Sequence, residues 1–165
     1  MLSSVTISLL VLALGGAVVE GRIVNELEVQ QTTRRVCPAN QIFSYIGSFY
    51  SNQFRCKAAG GATSGCYWTN YLRAFGPPLR FSCRRDEVVS GMISYFSSRP
   101  QDSRFKLQCC RVTNMVPRNC YYTAFVNNWG RMISYNVPTG KAIKGVYSVH
   151  NNKDIRWQFY LCDFD

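Results

Sequence analysis

The sequence predicts an all-β fold: a single disulfide-stapled domain made of three repeats. Three observations predict it. First, one pattern recurs. Cys37 to Ser48 and Cys83 to Ser94 each run from a cysteine to a serine eleven positions later, and Ala142 to Ser148 repeats the later half. The copies close on Phe54-Arg55-Cys56, on Asp102 to Cys109-Cys110, and on Asp154 to Cys162. Repetition at this spacing marks one supersecondary unit used several times, not an enzyme site built once. Second, there are eight cysteines, all lying between Cys37 and Cys162. Third, Tyr, Phe, Val, Ile and Ser alternate in short runs suited to pleated, half-buried strands.

Met1 to Gly21 contains an apolar run from Ile7 to Val19 flanked by small residues, although it lacks a basic start. It reads as a signal peptide cut after Gly21, with Ala17 as the competing site. The run is short for a bilayer span, so secretion is expected and a transmembrane anchor is not. Residues 22–35 read as a polar basic arm. Arg34-Arg35 is a candidate dibasic cut that would make this arm a propeptide. Residues 36–165 form the expected domain.

Within it the strand candidates are Gln41 to Phe49, Glu87 to Phe96, Gly130 to Tyr135, Ile143 to His150 and Arg156 to Cys162. Turns are expected at Gly60-Gly61, Gly76-Pro77-Pro78, Pro100, Val116-Pro117 and Val137 to Gly140. No stretch of residues 22–165 sustains a helical period. The repeat suggests pseudo-threefold packing, trefoil- or prism-like.

Eight cysteines in a secreted chain read as four bridges. Zinc is not expected, because no Cys-x-x-Cys occurs and His150 is the sole histidine. If Cys109 and Cys110 share a strand, their side chains point to opposite faces and must staple two different partners.

The sequence carries 19 Lys and Arg against 9 Asp and Glu, a formal charge of +10. Such a chain attracts sulfated glycosaminoglycans, acidic proteins or anionic surfaces, and nucleic acid is not expected for a secreted protein. Aromatic residues make up 14% of the chain. Phe105, Trp157 and Phe159 are assigned to the core, whereas Tyr67, Trp68, Tyr121, Tyr122 and Trp129 are candidates for surface stacking. An enzyme is not expected: the one histidine has no convincing carboxylate partner, and every cysteine is assigned to a bridge. No cofactor or metal is implied.

Two segments carry a family resemblance. One runs from Val89 to Ser98 and on through Asp102-Ser103-Arg104-Phe105-Lys106-Leu107 to Cys109-Cys110-Arg111. The other runs from Met132 through Ile143 to Ser148 and on through Asp154-Ile155-Arg156-Trp157-Gln158-Phe159 to Cys162. Both resemble the dermatopontin family of extracellular matrix proteins, with its invertebrate haemagglutinating, cell-aggregating and cytotoxic relatives. The resemblance covers about residues 36–162. It implies the bridges Cys37–Cys56, Cys66–Cys109, Cys83–Cys110 and Cys120–Cys162. The repeat motif appears as Asp102, Arg104, Phe105 and as Asp154, Arg156, Trp157, with the Arg one position later than in vertebrate members. Its structural reading puts the aromatic in the core and pairs Asp with Arg.

The resemblance implies matrix or adhesion work, bridging proteoglycans, matrix proteins and the cell surface. Arg84, Arg85, Arg99, Arg104, Lys106 and Arg111 are the candidate polyanion-binding residues, with Arg80 as an addition. The alternative is a secreted defence lectin or cytolytic toxin of the same family.

Overall fold

The computed structural model describes residues 30–47, 53–98 and 101–165. The leader, residues 22–29, Arg99, Pro100 and the end of the first strand candidate lie outside these described residues. The described chain is all-β. Its strands are β1 (Gln30–Val36), β2 (Gln41–Gly47), β3 (Phe54–Ala58), β4 (Thr63–Trp68), β5 (Leu72–Arg73) and β6 (Leu79–Ser82), followed by β7 (Glu87–Ser98), β8 (Gln101–Val112), β9 (Arg118–Tyr122), β10 (Ser134–Asn136), β11 (Lys141–His150) and β12 (Ile155–Asp163).

Each repeat is a hairpin: β2–β3, β7–β8 and β11–β12. Each hairpin centres its own antiparallel sheet, in the orders β10-β2-β3, β1-β7-β8-β4 and β6-β11-β12-β9, with β5 also paired to β8. The added strands are exchanged cyclically. The strand before each hairpin pairs with the first strand of the next one: β1 with β7, β6 with β11, and β10 with β2. The strand after a hairpin covers the second strand of the next: β4 on β8, and β9 on β12.

The hairpins share a defect as well as a topology. Each first strand carries a register shift in the same place, leaving Ser44, Ser90 and Lys144 out of step. A bulge turns the carbonyl of the extra residue out of the ladder. Here each of these carbonyls accepts a backbone N–H from the chain leading into another hairpin. Val137 donates to Ser44, Cys37 to Ser90 and Cys83 to Lys144, each at 2.9 Å. The bulges are therefore where the three units are hydrogen-bonded together. At Gly145, just past the third bulge, a Cβ would sit 2.2 Å from the carbonyl oxygen of Phe81, so only glycine lets β6 approach β11.

The inward faces make one core. Phe43, Val89 and Ile143 stand just before the bulges, Ile46, Met92 and Val146 further along, and all are buried. Phe105 and Trp157, the motif aromatics, meet edge-to-face at 5.2 Å in this core. A second, smaller cluster closes one end, with Ile42, Val88 and Ala142 against Ala59, Val112 and Phe164. These are again matched positions from the three hairpins.

Two kinds of expectation are corrected, strand bounds and then disulfide pairing. The polar arm over 22–35 is a strand from Gln30 on. Its alternation puts Thr33 and Arg35 inward, both buried, and Thr32 and Arg34 outward. Polarity disguised the strand, because its buried face is built from Thr and Arg. Burial pushes the Arg35 guanidinium down to about 10, still far above neutral pH, and its Nη1 lies 3.7 Å from the Met92 sulfur. The strand expected over 130–135 begins only at Ser134 and is three residues long, because Gly130 turns with φ 69°.

The disulfides are the second correction. Cys37–Cys56 and Cys120–Cys162 form as expected. The other two are Cys66–Cys110 and Cys83–Cys109, not Cys66–Cys109 and Cys83–Cys110. Strand parity explains the exchange. Cys109 points into the core, where Cys83 lies, whereas Cys110 points to the opposite face of β8. Tyr67 pairs with Cys109 in the β4–β8 ladder, and one step along places Cys66 across from Cys110. The bridges then fall into two kinds. Cys83–Cys109 repeats Cys37–Cys56, joining the lead-in of a hairpin to its second strand with Cα atoms 5.8 and 5.7 Å apart. Cys66–Cys110 repeats Cys120–Cys162, joining neighbouring strands with Cα atoms 4.1 and 4.0 Å apart.

Candidate functional site

The expected basic cluster belongs to the β7–β8 sheet, but the structure splits it. Alternation along β8 sends Ser103, Phe105, Leu107 and Cys109 inward and leaves Asp102, Arg104, Lys106 and Gln108 on the outer face. Arg111 lies seven residues beyond Arg104, roughly 23 Å along the strand. It stands near Arg84 and Arg85, which occupy the turn before β7. Arg99 lies outside the described residues.

The turn that carries Arg84 and Arg85 is held from below. Glu87, buried, accepts the Tyr67 hydroxyl at 3.0 Å and the Arg84 backbone N–H at 3.1 Å. Burial first, and then the Glu87 contact, pushes the Tyr67 phenol up. Lys144, also buried, sends its ammonium to the carbonyls of Arg84, Arg85 (3.0 Å) and Glu87 (3.1 Å). Burial lowers the Lys144 pKa, offset in part by Glu87 and Asp86. The bulge in β11 thus contributes both its carbonyl, to Cys83, and its side chain, to the turn. Lys144→Met is expected to cost about 2 kcal/mol, since three carbonyls lose a charged donor. Urea unfolding of wild type and variant checks this.

The two cations in this turn are not equivalent to their neighbours. Arg84 lies over the Tyr67 ring at 4.8 Å, and Arg84 and Arg85 have no carboxylate partner among the described residues. Arg111 is paired with Asp86 at 2.9 Å. Arg104 Nε stands 2.9 Å from Asp102 but makes no aligned hydrogen bond. An exposed pair such as Arg111–Asp86 is weak, so a stronger anion can displace it.

The outer face also gathers residues that sequence reasoning missed. Arg34, from the supposed arm, lies over Trp68 at 5.3 Å. Lys106 and Arg104 lie over Tyr71 at 4.6 and 5.3 Å, and Arg104 also lies over Tyr95 at 4.8 Å. Arg73 pairs with Arg104 across β5 and β8. The period-2 signal in Thr32 to Arg35 is faint, and the two-residue β5 has none. Cross-strand neighbours of this kind become visible only when the ladder is known.

The motif behaves as its structural reading requires in one copy. Asp102 pairs with Arg104 and Phe105 is buried. In the third repeat Trp157 is buried, but Arg156 turns to aromatic rings instead of Asp154. His150 ends β11, at the end of the strand candidate that ran from Ile143. Its Nε2 accepts the Gly76 backbone N–H at 3.1 Å and its ring meets Phe75, a structural role. Among the described residues no group of three His, Cys, Asp or Glu is placed to hold a metal, and no helix is long and apolar enough to cross a membrane.

Comparison with known proteins fits this architecture to a family. The family model described as Dermatopontin matches residues 27–165, which includes β1 and so agrees with the longer domain seen here. The chain is 34% identical over 137 residues to the hemagglutinin/amebocyte aggregation factor of Limulus polyphemus, covering 76% of this chain and 79% of that protein. It is 33% identical over 135 residues to dermatopontin of Biomphalaria glabrata, covering 76% and 90%. It is 27% identical over 135 residues to Millepora cytotoxin-1 of Millepora dichotoma, covering 76% of this chain and 60% of that one. None of the three carries an enzyme's name. No solved structure matches. The chain belongs to the dermatopontin family.

Proposed function

We propose that the protein is secreted and works outside the cell as a non-enzymatic adhesion and matrix-binding protein. Its ligands are sulfated glycosaminoglycans, held on proteoglycans at the matrix and the cell surface. The observation that carries this reading is the turn bearing Arg84 and Arg85. It presents two carboxylate-free guanidiniums, and two buried groups, Glu87 and Lys144, fix its shape. Guanidinium forks match sulfate oxygens in pairs, and a rigid turn loses little freedom on binding. Lys106 and Arg34, resting on Tyr71 and Trp68, add cations on the outer face of the same sheet.

Four bridges suit such a protein to an oxidising compartment. The test is salt-gradient elution from immobilised heparin beside a basic protein of matched size and charge. The wild type is expected to elute well above the control, and Arg84→Ala with Arg85→Ala together at clearly lower salt. Elution of wild type with the control rules the site out.

The names of the Limulus and Millepora relatives support a second reading, a defence lectin or toxin built on the same faces. Red-cell agglutination inhibited by a simple sugar selects the lectin. Haemolysis without such inhibition selects the toxin.

A further inference from the structure

We infer that the protein carries a second sulfated-sugar site, on the outer face of the β6-β11-β12-β9 sheet. This deepens the reading above and rests on it for the ligand class, but it uses a different sheet and different residues.

Arg80 leaves β6 and lies over two rings that meet edge-to-face, 4.8 Å from Tyr122 and 5.1 Å from Tyr147. Arg156 leaves β12 and lies over Phe125 at 3.9 Å and over Trp129 at 5.4 Å. The two clamps are continuous, because Phe125 and Tyr147 are neighbours at 6.5 Å. Tyr160 stacks on Tyr122 at 4.6 Å and backs the first clamp.

Three properties make this a site and not a scatter of surface charge. First, neither arginine has a carboxylate partner among the described residues, in contrast to Arg104 and Arg111. Arg156 spends one N–H on the Asn127 carbonyl, at 3.4 Å, and keeps the rest of its donors. Asp154 stands at the rim beside Gly130 and pairs with neither. Second, each guanidinium lies over two aromatic rings, which restricts its orientation before a ligand arrives. Third, Trp129, 42% exposed, leaves apolar surface open beside a cation. A sulfated sugar offers the complement: a ring with axial C–H groups to lie on an aromatic face, and oxyanions for the two forks. An unsulfated sugar and an apolar partner both lack the second part, and a bare sulfate ion lacks the first. With faces on two sheets, one chain is able to bridge two glycan chains, which is what aggregation requires.

The test is titration calorimetry with a fully sulfated heparin tetrasaccharide, and with its desulfated, N-acetylated form as control. Wild type is expected to bind two sulfated molecules and no desulfated ones. Arg80→Gln with Arg156→Gln is expected to bind one, at the Arg84 turn. Arg84→Gln with Arg85→Gln is expected to keep the other. Trp129→Ala, which leaves the charge unchanged, is expected to weaken the second site roughly threefold, the size of an exposed cation–aromatic contact. One site in wild type, untouched by Arg80→Gln with Arg156→Gln, overturns this inference and leaves the proposed function standing. One site that the Arg84 and Arg85 changes spare does the reverse. Equal binding of the desulfated form overturns both.

Discussion

Trp157→Ala is expected to lower stability by about 3–5 kcal/mol, the cost of emptying a large buried aromatic site. Trp157 is 4% exposed and meets Phe105 edge-to-face, so its loss opens a cavity where the second and third hairpins touch. Both partners belong to the repeat motif, and each follows the arginine of its copy. The site has little room to collapse, since Phe159 and Leu107 around it are held in ladders. Thermal unfolding should fall by about 10 °C or more for a domain of this size. Arg156→Ala, one residue away but on the outer face, should change stability by well under half of that. A small loss for Trp157→Ala would mean the motif aromatic does not anchor the core.

Removing Cys83–Cys109 is the second large effect. The bridge closes a stretch of 26 residues and sits inside the core. Loop-closure entropy alone assigns it about 3.5 kcal/mol, and Cys66–Cys110, spanning 44, about 4 kcal/mol. The paired changes also test connectivity. Cys66→Ser with Cys110→Ser should leave no free thiol in the folded protein, because the remaining three bridges are complete. The same holds for Cys83→Ser with Cys109→Ser. Of the crossed pairs, Cys66→Ser with Cys109→Ser should strand Cys83 and Cys110, and Cys83→Ser with Cys110→Ser should strand Cys66 and Cys109. Thiol titration in denaturant reads this directly. Two thiols in the uncrossed variants and none in the crossed ones would restore the pairing that the family resemblance implied.

Much of this fold was legible in the sequence because it is written in repeats. Cys37 to Gly47 and Cys83 to Ser94 hold the lead-in and first strand of a hairpin, and the three closing motifs lie in the second strands. Phe105, Trp157 and Phe159 were assignable to the core because they alternate with Arg104, Lys106, Arg156 and Gln158. The bridges were legible too, but only by taking the repeat literally. Cys83 holds the place of Cys37, and Cys109 that of Cys56, so the first bridge dictates the third. In the last repeat Val137 and Leu161 hold those places, both buried, so apolar contact does there what sulfur does elsewhere.

The functional faces were less legible, and for a physical reason. A binding face on a sheet is assembled across strands, so its members are far apart in sequence. Arg34 meets Trp68, and Arg80 meets Tyr122 and Tyr147, through ladders whose short outer strands carry almost no hydropathy signal. Counting charges in the second repeat found Arg104 and Arg111, which turn out to be paired with acids. The carboxylate-free arginines at 80 and 156 sit in the third sheet, beside rings that chain distance does not suggest.

The proposed function requires that organised guanidiniums, not net charge, bind the polyanion. The most direct measurement compares two variants of equal charge on immobilised heparin. Arg84→Gln with Arg85→Gln removes two positive charges from the braced turn. Arg118→Gln with Lys153→Gln removes two from exposed positions elsewhere. The first is expected to elute at distinctly lower salt than the second, which should stay close to wild type. Identical elution of the two would show that the chain binds by charge alone and that the braced turn is not a polyanion site.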